Sequence, residues 1–169
     1  DPTTIGRPLG TSNDWPVYGG DYSGKRFSAL KQIDKTTVKN LGLAWTARMG
    51  MGSQAEKPGS TLTVGGVGTM EATATANIKG SILQVNGILY VSAPDNAWAI
   101  DARDGHEIWH YVWKTRGGTH IGNRGLGMWH NQLYMETPDD FLVCLDARTG
   151  KELWHKEIAD FDLQYFSTV

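Results

Sequence analysis

The sequence is poor in cysteine, in long apolar runs and in net charge. Its single cysteine, Cys144, excludes a disulfide within the chain and says little about the redox compartment. No apolar run approaches the ~20 residues of a membrane-spanning helix. The formal net charge is only -2, so the chain lacks the basic field that nucleic-acid binding requires, and we expect no nucleic-acid partner.

The first residue is Asp1 rather than Met, and no signal peptide is recognisable. The chain is therefore expected to be either a processed mature protein or a piece of a longer one. Its 169 residues are 40% hydrophobic, with 7 Trp and 21 Gly, which is enough apolar material for the core of one ordinary domain.

One stretch occurs twice, as Ala99–Trp109 and again 45 residues later as Cys144–Trp154. Each copy has an apolar strand end, an Asp-Gly or Thr-Gly turn, and a second strand that ends at tryptophan. This pattern predicts two β-hairpins, each with a bulky anchor. We expect the two tryptophans to pack between repeats because they are large and equivalently placed.

The segments before the two hairpins also repeat, with one extra residue at Asp139-Asp140. The full unit is turn, strand, turn, strand, turn, strand and Trp. A period of ~40–45 residues with about four strands is typical of a propeller blade. The sequence thus predicts an all-β propeller. Two blades cannot close a ring, so further blades are expected as partners.

The pattern divides the chain into four parts. Glycine, serine, threonine and alanine dominate the stretch after Met49, which has no clear period and is predicted to be a long loop inserted into the first blade. The expected parts are a lead-in segment (1–40), blade one (41–112, with the insertion at about 50–77), blade two (113–160) and the start of another blade (161–169).

Three local expectations concern the first part of the chain. Aromatic residues alternate with glycines in 14–28, which suits a lone strand and a tight loop. Asp34 is placed to cap one short helical turn within 32–41. Residues 42–47, Gly-Leu-Ala-Trp-Thr-Ala, are predicted to form a further strand.

His106-Glu107-Ile108-Trp109-His110 matches the His-Glu-x-x-His pattern of zinc proteases. That pattern requires a helix to bring both histidines to one ion. Here it follows an Asp-Gly turn and is predicted to be a strand, in which residues four apart are separated by roughly 13 Å. We therefore expect no metal site at this motif.

Several motifs in order resemble the N-terminal part of the pyrroloquinoline-quinone (PQQ) dependent alcohol dehydrogenases, which include the methanol dehydrogenase large subunit. These motifs are the two Trp-ended repeats and four earlier segments, Asp14–Gly20, Phe27–Ile33, Val38–Leu41 and Ala44–Thr46. The resemblance implies an eight-bladed propeller with PQQ on its axis, oxidising alcohols in the periplasm and passing electrons to a cytochrome c. It also implies a calcium or lanthanide ion, whose ligands, like the catalytic Asp, lie beyond this chain. The chain alone is then expected to be inactive.

The resemblance points to two residues that would contact the quinone. Arg124, in Asn-Arg-Gly-Leu, matches the segment whose arginine binds PQQ, and a guanidinium suits carboxylate or quinone oxygens. The alternative is an ordinary surface arginine in a loop between blades. Thr168 falls where the family has a threonine at the cofactor, although threonine is also commonplace in strands.

Three positions depart from the family pattern. Gly118 and Thr119 stand where many members have adjacent cysteines that form a disulfide against PQQ. Lys79 stands where relatives have a glutamate near the cofactor. Lys79 could pair with a PQQ carboxylate, could indicate a pocket that no longer serves PQQ, or could extend to solvent. These departures leave open an alternative function, a non-catalytic propeller that serves as a scaffold for protein–protein interaction.

Overall fold

The computed structural model describes residues 13–119 and 122–167. Within them the chain is all-β, as predicted, with nine strands and two single-turn 3₁₀ helices, at Val38–Asn40 and Phe161–Leu163. The strands are β1 (Thr61–Gly66), β2 (Leu83–Val85), β3 (Ile88–Ala93), β4 (Asn96–Asp101), β5 (Glu107–Lys114), β6 (Gly127–Trp129), β7 (Gln132–Glu136), β8 (Phe141–Asp146) and β9 (Glu152–Glu157).

The strands form two sheets that correspond to the two sequence repeats. The first has the order β1-β5-β4-β3-β2 and the second the order β6-β7-β8-β9. All neighbours pair antiparallel except β1, which runs parallel to β5 along its outer edge. The hairpin predicted for each repeat is therefore confirmed, as β4-β5 and β8-β9. Each hairpin has a register shift at the equivalent place, after Ala99 and after Cys144.

The two sheets are joined by one face of β5. Trp109, Tyr111 and Trp113 alternate along this strand and are each 1% exposed or less, because alternate strand residues share a face. Each side chain donates one hydrogen bond to the second repeat. Trp109 Nε1 donates to the Ala147 carbonyl (3.0 Å), Tyr111 Oη to Glu152 (2.5 Å) and Trp113 Nε1 to Asp139 (2.9 Å).

The opposite face of the first sheet packs under the segment that precedes β2. Val91, Ala93, Trp98 and Ile100 form this second apolar cluster, with Met49, Met51, Ala76 and Ile78 against it. Apolar residues at both ends of the inserted segment thus bury the outer face of blade one, which would otherwise expose Trp98 to water.

The structure corrects three local expectations. The stretch predicted as a loop at 50–77 contains β1, whose six residues pair with Trp109–Lys114. Residues 42–47 form no strand, because no neighbouring strand within the described residues pairs with them. Residues 14–28 contain only the isolated Trp15–Gln84 bridge and turns.

The turn at Asp34 is confirmed. The Asp34 carboxylate accepts the backbone N–H of Thr36 (2.7 Å) and of Thr37 (2.9 Å), and the 3₁₀ turn follows at Val38–Asn40. The division into lead-in and blades stays a prediction. Within the described residues, no helix is long and apolar enough to cross a membrane.

Candidate cofactor site

The candidate site lies where the inner edges of the two sheets meet. β2 and β6 are the edge strands there, and a parallel bridge joins Ser81 to Gly125 just before each strand. The Ser81 amide donates to the Arg124 carbonyl at 3.0 Å. A Cβ at Gly80 would lie 2.6 Å from the Gly125 nitrogen, so only glycine permits this approach. The contact brings Lys79 and Arg124 to one edge of the molecule.

Lys79 and Arg124 line the same cleft, which has a volume of about 790 Å³. Both side chains are exposed. The cleft is also lined by the lead-in segment at Pro16–Tyr18, by the apolar side chains of Leu126, Met128 and Leu142, and by Tyr134 and Glu136. The cleft therefore combines two cationic groups and one carboxylate with an apolar surface, and a few charged groups on an apolar surface are what ligand sites use for affinity and orientation.

Asn123 holds the Arg124 loop in place. It is 4% exposed, and its Oδ1 accepts from Ser92 Oγ (2.5 Å) and from the Gly125 amide (2.9 Å). Its Nδ2 donates to the Glu136 carbonyl at 3.2 Å. The sequence places Asn123 inside the Arg124 motif, but its role as the buried support of that loop becomes visible only in the structure.

A second, smaller cleft adjoins the first at Lys79. It measures about 340 Å³ and is also lined by Thr119 and Gly122. The structure thus brings Lys79 and Thr119 to the same cleft, and Gly118 is the chain neighbour of Thr119. A Cβ on Gly118 would meet Pro138 at 3.0 Å, and its φ is +75°, so glycine is favoured there. Thr168, the fifth candidate, lies outside the described residues.

Glu71 is the acidic residue of the smaller cleft. The Ser53 amide donates to Glu71 at 2.7 Å, and this bond is the main reason that the pKa of Glu71 lies below its ordinary value. Lys114 Nζ lies 3.5 Å from the same carboxylate. Glu71 is therefore an ionised, structurally engaged group rather than a proton donor.

The His-Glu-x-x-His motif has the strand geometry that its sequence context predicts. Glu107 and His110 lie in β5, with His106 exposed before the strand and His110 buried within it. His110 Nε2 lies 2.8 Å from Asn96 Oδ1. Among the described residues, no group of three His, Cys, Asp or Glu side chains is placed to hold a metal ion.

The fold and this cleft define a class of protein: propeller blades linked by tryptophans, with two cations at the inner edge of adjacent blades. Residues 15–161 match the PQQ family described as glucose/ethanol/alcohol dehydrogenase, beta-propeller domain, and the chain belongs to that family.

Named relatives agree with this assignment. The chain is 34% identical over 153 residues to the quinohemoprotein alcohol dehydrogenase of Comamonas testosteroni, covering 85% of this chain and 18% of that protein. It is 32% identical over 154 residues to the quinohemoprotein alcohol dehydrogenase ADH IIB of Pseudomonas putida, covering 87% of this chain and 19% of that protein. The chain thus spans under a fifth of the length of these relatives.

Solved structures show the same fold. The C. testosteroni enzyme superimposes with a TM-score of 0.62 at 33% identity, over 85% of this chain and 19% of that one. A europium-containing methanol dehydrogenase gives a TM-score of 0.63 at 24% identity, over 90% of this chain and 24% of that one. At that identity the second likeness shows the fold alone.

Proposed function

We propose that this chain forms one wall of the PQQ site of an alcohol-oxidising quinoprotein. The observation that carries the proposal is the convergence of Lys79 and Arg124 on one cleft at the inner edge of two blades. Family membership supplies the cofactor class. Arg124, Lys79, Thr119, Gly118 and Thr168 are the proposed cofactor-binding residues.

The residues present are compatible with PQQ, which is planar and carries three carboxylates. Arg124 offers a planar fork of donors for a carboxylate or quinone oxygen, and Lys79 offers a compact positive charge. Leu126 and Met128 supply apolar surface for the rings. The cleft of about 790 Å³ lies within the usual size range of cofactor sites.

The complete protein would oxidise an alcohol and pass the electrons to a cytochrome c. When bound, PQQ supplies the electron-accepting quinone. Arg124 and Lys79 would bind and orient it, and the Asn123 hydrogen bonds would keep the Arg124 backbone fixed. A calcium or lanthanide ion and a catalytic aspartate belong to the proposal as contributions of other blades. This chain alone is therefore proposed to be inactive, and the complete protein to be periplasmic.

One alternative is a propeller scaffold that binds other proteins and no quinone. Lys79 favours this alternative, because a lysine stands where relatives have a glutamate, so the charge at this position is reversed. Gly118 and Thr119 favour it as well, since a glycine and a threonine cannot form the disulfide found in many members.

The test is to purify the complete protein in calcium, record its ultraviolet-visible spectrum, and analyse an acid extract by mass spectrometry. The proposal predicts a quinone absorption and the mass of PQQ. A folded, complete protein that takes up no PQQ when the cofactor is supplied would contradict the proposal and favour the scaffold.

A further inference from the structure

A third cleft lies between the two repeats, at the end of β2 and β6 that is opposite to the candidate cofactor site. It is bounded by the turns that follow β2 and β6 and by the turn between β8 and β9, and its volume is about 570 Å³. Its apolar lining comes from Val85, Ile88, Met128 and Ala147. Among these, Met128 alone also lines the cofactor cleft, so the third cleft is a separate space.

Tyr90 brings a hydroxyl without a partner to this cleft. The side chain is 4% exposed, and its ring centroid lies 6.2 Å from that of Trp109. Within the described residues its Oη makes no hydrogen bond, although buried polar groups are nearly always paired. The oxygen is accessible from the cleft rather than fully enclosed. Burial raises the pKa of Tyr90 to about 12, so the hydroxyl keeps its proton and can donate it.

Arg148 lines the same cleft, and a difference between the repeats leaves its guanidinium unpaired there. In the first repeat the equivalent Arg103 binds Asp101, with Nε at 3.0 Å from Oδ1 and Nη2 at 2.5 Å from Oδ2. In the second repeat Asn131 Nδ2 donates to Asp146 Oδ2 at 2.9 Å, and three donors of the turn itself occupy Oδ1. Within the described residues, the Arg148 guanidinium therefore makes no hydrogen bond or ion pair.

The charges around this cleft favour an anion over a cation. None of the described residues that line it is acidic, and Arg148 carries its formal charge. The charge of Asp146 raises the pKa of Tyr90 and that of Arg148 lowers it, so both residues act on the hydroxyl. Four hydrogen bonds already occupy the Asp146 carboxylate. The unused groups are therefore donors, a hydroxyl and a guanidinium, and a carboxylate accepts from both.

We propose that this space, the Tyr90 cleft, binds a small organic carboxylate with an apolar body, such as an aromatic acid. Tyr90 Oη donates to one carboxylate oxygen, Arg148 binds the carboxylate from the rim, and the apolar lining covers the body. The ligand would contact the first repeat through Tyr90 and the second through Arg148, so binding also strengthens the contact between the repeats. The site lies apart from the proposed PQQ position and does not depend on the proposed function.

The test measures binding to the complete protein by titration with saturation-transfer NMR. Benzoate, benzamide and benzamidine share one shape and differ in charge, and we expect benzoate to bind best and benzamidine least. Tyr90→Phe should weaken benzoate binding about tenfold, because it removes a hydrogen bond to a charged group. Arg148→Gln should weaken it about threefold, since an exposed ion pair contributes less. Arg103→Gln, at the equivalent exposed position of the first repeat, is the matched control and should change nothing.

The thermal midpoint separates loss of the site from loss of the fold. Tyr90→Phe removes no hydrogen bond to protein, so without ligand its midpoint should equal or exceed that of the wild type. Benzoate should raise the midpoint of the wild type more than that of the variant.

Three results would overturn the proposal. A clear fall in the midpoint of ligand-free Tyr90→Phe would show that the hydroxyl has a partner within the protein. Equal affinity for the three probes would show that the cleft does not select an anion. Benzoate binding that is lost in Arg124→Gln but kept in Tyr90→Phe would place the carboxylate in the cofactor cleft. Uptake of PQQ tests the proposed function separately, so the failure of one proposal is distinguishable from the failure of the other.

Discussion

The Trp109 indole donates to the Ala147 carbonyl at 3.0 Å, and its ring lies against Gly150 of the same turn. Trp45 repeats this arrangement one blade earlier, with its Nε1 at 3.1 Å from the Ala102 carbonyl and its ring against Gly105. The same contact therefore fastens the segment around Trp45 to the turn between β4 and β5, and the first repeat to the second. Glycine is required at both turns for a steric reason as well as a conformational one.

Gly150→Ala is expected to destabilise the contact between blades. The new Cβ would lie 2.6 Å from the Trp109 ring, and the φ of Gly150 is +67°. The left-handed backbone alone costs about 1 kcal/mol for alanine, and displacing the buried indole adds about 1–3 kcal/mol. The thermal midpoint of the complete protein measures the sum.

Gly87→Ala is the matched control for that substitution. Gly87 has a similar φ of +76°, but a Cβ there would meet nothing within 4 Å. Only the conformational cost is therefore expected, with a clearly smaller fall in thermal midpoint. Equal falls for the two variants would show that Trp109 does not press on Gly150.

Asp95 is predicted to make stability depend on pH. It is 1% exposed, and within the described residues neither carboxylate oxygen has a hydrogen-bond partner. Burial, with a smaller contribution from the charge of Asp139, raises the pKa of Asp95 from 3.8 to about 8. The folded protein then holds a proton that the unfolded chain has lost. Stability from this group is complete below pH 3.8 and falls as pH rises towards 8.

Asp95→Asn removes that titration. We expect the variant to be more stable than the wild type by about 1–3 kcal/mol at pH 8, with the gain shrinking towards pH 4. Asp101→Asn is the control, because its Arg103 hydrogen bond lowers the pKa of Asp101 to about 2. That substitution should leave the profile between pH 4 and 8 unchanged. A wild-type profile that rises with pH over this range, unaltered by Asp95→Asn, would contradict the assignment.

Asn96→Ala is predicted to loosen the inserted segment. It removes the acceptor for the Gly52 amide and for His110, both buried contacts. Hydrogen exchange at the Gly52 amide should accelerate by about tenfold or more, since protection there requires this bond. Asn131→Ala removes a side-chain bond to Asp146 in the second sheet and should leave exchange at Gly52 unchanged. Equal exchange in wild type and Asn96→Ala would show that the insertion is held elsewhere.

The repeat made much of the fold predictable. Trp109 and Trp154 mark equivalent positions, and the turn before each tryptophan predicts the hairpin that the structure contains. The inserted residue at Asp139 is also visible in the sequence, but its purpose is not. Asp139 accepts hydrogen bonds from Trp113 and from the Arg116 amide. These donors come close to Asp139 only when two blades pack together.

The local sequence pattern gives a wrong prediction where pairing with a strand distant in the sequence determines the structure. Residues Thr61–Gly66 become a strand because β5 offers them a free edge, although the inserted stretch as a whole has no clear period. Residues 42–47 have a strand-like pattern but remain irregular, since no described strand pairs with them. At the site, the Arg124 motif is readable from sequence. The contact of Ser81 with Arg124, which brings Lys79 into the same cleft, depends on how the two sheets meet and could not be predicted.

The most direct test of the cofactor site is the dissociation constant of PQQ for the complete protein, by fluorescence titration, in three variants. Arg124→Gln and Lys79→Gln should each weaken binding by about tenfold or more, because each removes a charged partner of a carboxylate. Arg103→Gln removes an exposed charge from a turn outside the cleft and should leave the constant unchanged. Equal affinities in all three variants and the wild type would contradict the placement of PQQ between Lys79 and Arg124.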